Sequence, residues 1–320
     1  MAELKCKEIG PNCPIDGSSL GYAPNMAASV AFMVIFGSSL VCHVILGWKY
    51  KTWTFMVAMF LGSSSEVVGY LGRILMHNNP YKLSTFLVQI VSLTTAPAFY
   101  SAGLYLCLAR IVTVYGQNMS RIKPVMYTRF FIACDIVSLS LQGAGGGVAS
   151  AATTDSTMAL GNKLMLVGLI FQIVTLAIFV ICCVDFAFRV YKFQSRENVV
   201  YNRLVSTGRF KGFLGAVLIA FLTIFTRCVY RVIELGGGWN NPLMREEVTF
   251  IILESCMIAI AVFAFVIFHP GFGFHNTFNT FQYKSANVKE TISLMSTEPQ
   301  AGTSYENDPR SQDTSYPTRV

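Results

Sequence analysis

Seven apolar runs, each long enough to cross a bilayer as a helix, constrain this chain more than any other feature. They span Met26–Leu46, Thr54–Leu75, Leu83–Ala109, Phe130–Ser150, Leu164–Phe188, Phe213–Leu235 and Val248–Phe268. A hydrocarbon core about 30 Å thick needs roughly 20 apolar residues in a helix. Backbone polar groups in lipid must be satisfied within the segment, so helices are the expected form. Short polar turns such as HNNP, TTDST and GGGWNNP separate the runs. The composition agrees, with 53% hydrophobic and only 13% charged residues. A soluble domain carries roughly twice that charged fraction. The expected fold is all-α, a polytopic membrane protein built as a seven-transmembrane-helix bundle.

The basic residues set the expected orientation. Lys49, Lys51, Arg110, Arg121, Lys123, Arg129, Arg189, Lys192, Arg196, Arg203, Arg209 and Lys211 fall in alternate loops on one side. The loops of the other side hold only Lys82, Lys163 and Arg245. Basic loops stay cytoplasmic, so the N-terminus is expected outside and the C-terminus inside. Residues 1–25 then form an extracellular tail, 26–275 the transmembrane domain and 276–320 a cytoplasmic tail. That last tail is rich in Ser, Thr, Asp, Glu and Pro and is expected to be disordered. Cys6 and Cys13 lie in the outer tail and are candidates for a local disulfide, the alternative being two free thiols. The other seven cysteines lie in apolar runs or at their edges, as small hydrophobes.

Ionisable residues interrupt the apolar runs, and such residues are costly in a bilayer unless they face partners. Glu66, Arg73, Asp135, Arg227, Arg231, Glu234 and Glu254 lie in or near the spans. Glu66, Tyr70 and Arg73 stand at i, i+4 and i+7, one face of a helix. Arg227, Arg231 and Glu234 repeat that spacing with the charge order reversed. At 1.5 Å per residue Glu66 lies ~18 Å and Arg227 ~21 Å above the inner ends of their spans, and Arg73 ~28 Å and Glu234 ~32 Å. Glu66 can therefore meet Arg227, and Arg73 can meet Glu234, if the two helices touch, and Glu254 is at a depth to meet Arg227 or Arg231. Gln142 and Gln172 stand at middle depths. Such a polar interior either locks helices together or receives a charged headgroup. In span four, QGAGGG places Gly143 and Gly147 at the GxxxG spacing, with Gly145 and Gly146 between them. Small residues there allow a close helix crossing or a flexible segment along a substrate path.

Several functions are excluded or disfavoured by the sequence. No basic stretch carries the interleaved aromatics of a nucleic-acid binder. No GxxxxGK[ST] supplies an ATP motor. Span seven has no lysine for a retinal Schiff base. The histidines, His43, His77, His269 and His275, form no HExxH and no intramembrane set of zinc ligands. Neither a metal nor another cofactor is expected, and no enzyme activity. A G-protein-coupled receptor would share the topology, but Arg110 follows LCLA rather than an acid, and span seven ends in FHPGF without NPxxY.

EVVGYLGR in span two, QGAGGG in span four, GLIFQ in span five, RCVYRVIE in span six and a seventh span closing on HPG occur in this order. Together they resemble the fungal lipid-translocating exporter, or RTA-like, family over residues 20–275. The resemblance implies that Glu66, Tyr70, Arg73, Gln142, Gln172, Arg227, Arg231, Glu234 and Glu247 are characteristic polar positions. Where this chain has Glu254, the family commonly has aspartate. The resemblance further implies plasma-membrane residence and transport of amphipathic lipids, sphingoid long-chain bases or sterol-like amphiphiles, with a role in stress resistance. Family members are linked to different amphiphiles, porphyrins among them. The alternative is a seven-helix receptor or sensor for an amphiphile, whose basic loops and tail engage a cytoplasmic partner. The Asn118-Met119-Ser120 sequon lies in an inner loop under this topology. It is expected to stay unglycosylated in a eukaryotic host, and a glycosidase-sensitive mass shift abolished by Asn118→Gln would reverse the orientation.

Overall fold

A computed structural model describes residues 20–115, 124–193, 208–237 and 241–272. The Cys6–Cys13 pair, the sequon and the tail from residue 276 lie outside these residues. Seven helices are long and apolar enough to cross a membrane, and no strand occurs among the described residues. The helices are α1 (Met26–Lys49), α2 (Trp53–Asn78), α3 (Leu83–Tyr115), α4 (Pro124–Ser150), α5 (Asp155–Phe193) and α6 (Gly208–Gly236). The last, α7, runs as Glu247–Phe250, a π turn over Ile251–Cys256, and Met257–Ile267. The end bearing Asn25 and Glu247, expected to face outside, is called the outer end below.

Every expected span is present, but the helices overrun the apolar runs. The 39 residues of α5 make a rod of ~58 Å, well beyond a hydrocarbon core of about 30 Å. Apolar length measures what lipid must cover, not where backbone hydrogen bonding stops. Caps mark some of the ends. The Asn25 side chain accepts from the Ala28 N–H at α1, at 3.2 Å. Asn241 donates to the carbonyls of Ile233 and Glu234, at 3.0 and 2.8 Å, satisfying the last turn of α6.

The helices follow one another around the bundle, and α7 returns to pack on α1. Helix α3 has α2, α4, α5 and α6 as neighbours and is the most enclosed span. Its contact with α2 is close because α2 presents Gly62, Gly69 and Gly72. A Cβ at Gly72 would lie 3.0 Å from the Gln89 backbone nitrogen, and one at Gly69 would strike the Leu93 side chain.

The α4–α5 crossing corrects one expectation. Gly143 and Gly147 face outward, with nothing within 4 Å of where a Cβ would stand. Gly145 makes the crossing instead. A Cβ there would lie 2.6 Å from the Met165 nitrogen and 2.7 Å from the Gly161 carbonyl. Gly161 is equally tight against Ala149 and Gly145. Gly146 faces Val91 of α3. The GxxxG spacing is real, but the face toward α5 carries Ser138, Gln142, Gly145 and Ala149. Van der Waals contact drives such crossings in lipid, where there is no hydrophobic gain between helices. Gly145→Leu or Gly161→Leu is thus expected to lower stability by about 1–3 kcal/mol, measured as the thermal midpoint in detergent. Gly143→Leu should leave the midpoint unchanged; equal losses at positions 143 and 145 would contradict this packing.

Candidate functional site

Two arginines on consecutive turns of α6 form the centre of the site. Glu254 Oε1 accepts from both, from Arg227 Nη2 and from Arg231 Nη2 at 2.9 Å. Arg231 Nη1 also donates to Glu234 Oε2 at 2.5 Å, three residues along its own helix. Glu234 Oε1 accepts from the Tyr230 hydroxyl at 3.2 Å. Each of Arg227, Arg231, Glu234 and Glu254 is at most 3% exposed, so these charges have exchanged water for one another.

Two backbone irregularities supply the network. The first is Pro97 inside α3. Proline has no N–H for the carbonyl four residues before it, which here is Leu93. The Leu93 carbonyl accepts from Arg227 Nη2. The second is the π turn, whose wider winding changes the facing of α7 side chains. It carries both Glu254, which meets the arginines, and Ser255, whose hydroxyl accepts from the Tyr70 hydroxyl. The Tyr70 ring is stacked with Phe32 and Phe36 of α1, centroids 5.6 Å away in each case.

Toward the outer end the network continues through Phe250. Its ring lies 4.1 Å from Arg73 Cζ and 5.5 Å from Arg231 Cζ, within cation–π range of both. Arg73 Nη2 donates to Glu247 Oε1 at 2.9 Å and to the Tyr22 hydroxyl at 3.0 Å. The Asn25 backbone N–H donates to the same Glu247 oxygen at 2.7 Å. Burial pushes the Tyr22 hydroxyl above its ordinary pKa, against the opposing pull of Arg73, so it stays a neutral phenol. Leu20 packs with Met76, Phe86 and Met244. The segment before α1 is thereby tied to α2, α3 and α7 at the outer end.

Glu66 lacks the arginine contacts of Glu234, Glu247 and Glu254. It is 1% exposed, and its Oε1 has no hydrogen-bond partner. Arg227, Arg231 and Glu254 act on it electrostatically, but no ion pair within 4 Å joins it to either arginine among the described residues. Nearby, the Tyr100 hydroxyl donates to Ser63 Oγ at 3.3 Å.

The expected pairs therefore need correction. Arg73 meets Glu247 rather than Glu234, because Glu234 is held by Arg231 of its own helix. Arg227 is bound by Glu254 and the Leu93 carbonyl rather than by Glu66. Depth was matched as expected, but α2 packs chiefly on α1 and α3, while α6 packs on α3, α5 and α7. The expected meeting of Glu254 with the arginines is present with both. Gln142 and Gln172 meet each other at 3.0 Å. Gln142 also donates to Ser138 Oγ, which donates to the Gly168 carbonyl, at 2.8 and 2.7 Å. No hydrogen bond joins this α4–α5 pair to the arginine network among the described residues. Ser255, Phe250, Tyr22 and the Leu93 carbonyl complete the site without being anticipated. Only the last had a signal in the sequence, a proline four residues downstream.

Removing Arg227 would leave Glu254 with Arg231 alone and the Leu93 carbonyl without its donor. Arg227→Ala is expected to cost about 3–5 kcal/mol of stability, read by thermal unfolding in detergent. The neutral pair Arg227→Met with Glu254→Gln should recover most of that loss. A double variant as unstable as the single one would contradict the assigned pairing.

Comparison with known proteins places this architecture. The family model described as RTA1 like protein matches residues 59–277. The sphingoid long-chain base transporter RSB1 of Saccharomyces cerevisiae is 36% identical over 282 residues, covering 79% of this chain and 74% of RSB1. Protein RTM1 of the same yeast is 26% identical, covering 75% of this chain and 76% of its own length. Its protoporphyrin uptake protein 1 is 28% identical, covering 70% of each chain. No solved structure matches. The family match runs from within α2 through α7, the RSB1 match covers most of that relative, and the chain is a multi-pass membrane protein belonging to the RTA1-like family.

Proposed function

We propose that this protein exports an amphipathic lipid with a cationic amine, of the sphingoid long-chain-base class, across the plasma membrane. The observation that carries this reading is Glu66, a buried carboxyl without a hydrogen-bond partner beside a network whose other acids are held by arginines. A buried carboxylate needs a cation or donors to offset its lost hydration. An ammonium headgroup supplies one charge and three N–H donors in a compact shape. The name of the yeast relative RSB1 supports the same substrate class.

In this reading the amine pairs with Glu66 while the tail stays among apolar span residues or in lipid. Arg227 and Arg231 keep Glu254 and Glu234 ionised and oriented. Each of these acids is already paired with an arginine, which leaves Glu66 as the acid open to the amine. The outer segment held by Arg73 and Glu247 stands between this site and the outer face. Release outward then requires that fastening to open. The site itself is not an enzyme's: no bond of the lipid needs to change.

Full-length protein in liposomes with a fluorescent long-chain base tests the proposal. Wild type is expected to speed movement of the lipid between leaflets over protein-free vesicles. Glu66→Gln, nearly isosteric, should slow that movement about tenfold or more, the worth of one charge-assisted contact. Equal rates for wild type and Glu66→Gln would refute the role of Glu66. Saturable binding without any movement would favour a receptor or sensor instead.

A further inference from the structure

The charge balance inside the bundle leaves a second carboxyl to explain. Among the described residues, Arg227 and Arg231 are matched by Glu254 and Glu234, and Arg73 by Glu247. Glu66 and Asp135 remain without an ion pair. The first faces the arginine network; the second does not.

Asp135 lies on α4, ~16 Å from the helix start at Pro124, and is 3% exposed. Its Oδ2 accepts from Ser101 Oγ of α3 at 2.8 Å. The buried Tyr105 hydroxyl also lies close to this carboxylate, and no other donor meets its Oδ1. The titratable groups within electrostatic reach are Tyr105 on α3, Cys228 on α6 and the adjacent Cys134. Helix α5 contributes the Phe179 ring, 4.6 Å from that of Tyr105. None of these groups is a cation. A carboxylate so enclosed, with two hydroxyls and no cation beside it, has little to replace water. A bound proton removes the charge and makes the free oxygen a donor. One acid, two hydroxyls and an aromatic wall are too few oxygens for a hard divalent cation, which takes six or more.

Position ties this acid to the substrate site. Ser101, the partner of Asp135, follows Tyr100, which bonds Ser63 and lies within electrostatic reach of Glu66. The two unmatched carboxyls thus border consecutive residues of α3, just past Pro97, which frees the Leu93 carbonyl for Arg227. A change of charge at Asp135 acts on the same turn of α3 that a cation at Glu66 acts on.

We propose that Asp135 is a proton-binding site, taking one proton on its carboxyl in one state and releasing it in another, and that this step couples lipid movement to a proton gradient. The coupling rests on the transport reading above; the proton site does not. Infrared spectra of the full chain in lipid vesicles test the site. A band of a protonated, buried carboxylic acid is expected in wild type, to be lost at alkaline pH, and to be absent in Asp135→Asn. Ser101→Ala keeps the acid and removes its donor, so it should shift the band. Spectra unchanged by Asp135→Asn overturn the site; should that variant fail to fold, a band unmoved by Ser101→Ala overturns it equally. The coupling is tested in liposomes with the fluorescent long-chain base and an imposed pH gradient. One sign of gradient should speed wild-type movement several-fold and the other slow it, while Asp135→Asn responds to neither. Wild-type movement indifferent to both gradients overturns the coupling and leaves the transport reading intact. No movement by wild type under any gradient overturns the transport reading, and the coupling with it.

Discussion

Charge cannot be left alone in hydrocarbon, and the rest of this bundle is arranged around that constraint. Arg227 and Arg231 stand on adjacent turns of α6, where each would be costly by itself. Glu254 answers both with one oxygen, Glu234 answers Arg231 from the same helix, and a carbonyl of α3 completes Arg227. Three helices are thereby fixed at one depth. A single-residue change within this set would leave a buried charge behind, whereas neutralising both partners would not.

The set is possible because two helices depart from regular winding. A regular α3 would have spent the Leu93 carbonyl on its own backbone; Pro97 releases it. The π turn of α7 likewise serves two contacts, Glu254 to α6 and Ser255 to Tyr70 of α2. Irregular backbone at membrane depth is tolerated where protein encloses it and satisfies the freed groups. Both irregularities here are used, and the π turn keeps Glu254 and Ser255 buried on the side that faces the bundle. The close α2–α3 packing around Gly69 and Gly72 brings Leu93 against α2. Glu66, on the same helix as Gly69, is buried in this packing.

Much of this was readable in the sequence. Apolar length fixed the number of helices, and the i, i+4, i+7 spacing put Glu66, Tyr70 and Arg73 on one face and Arg227, Arg231 and Glu234 on another. Depth along each helix was also readable, since rise per residue is constant. Partner choice was not. Two helices at matching depth need not touch, and an arginine three residues before a glutamate can satisfy it locally, as Arg231 does. The π turn has no sequence signature comparable to a proline. The glycine run in α4 shows the same limit: the spacing was legible, but the face was set by which side of α4 meets α5, so Gly145 rather than Gly143 makes the crossing.

The proposed substrate, a lipid with a long tail and a cationic head, suits a bundle in which Glu66 is the unpaired acid beside the arginine network. The tail asks only for hydrocarbon, and the head asks for a carboxylate that nothing else has claimed. The most direct measurement is a structure of the full chain in lipid nanodiscs with a bound long-chain base. The expected result places the ammonium about 3 Å from Glu66, a charge-assisted hydrogen-bond distance, with the Arg227–Glu254–Arg231 contacts kept. A headgroup bound elsewhere, with Glu66 still covered by protein, would contradict the account.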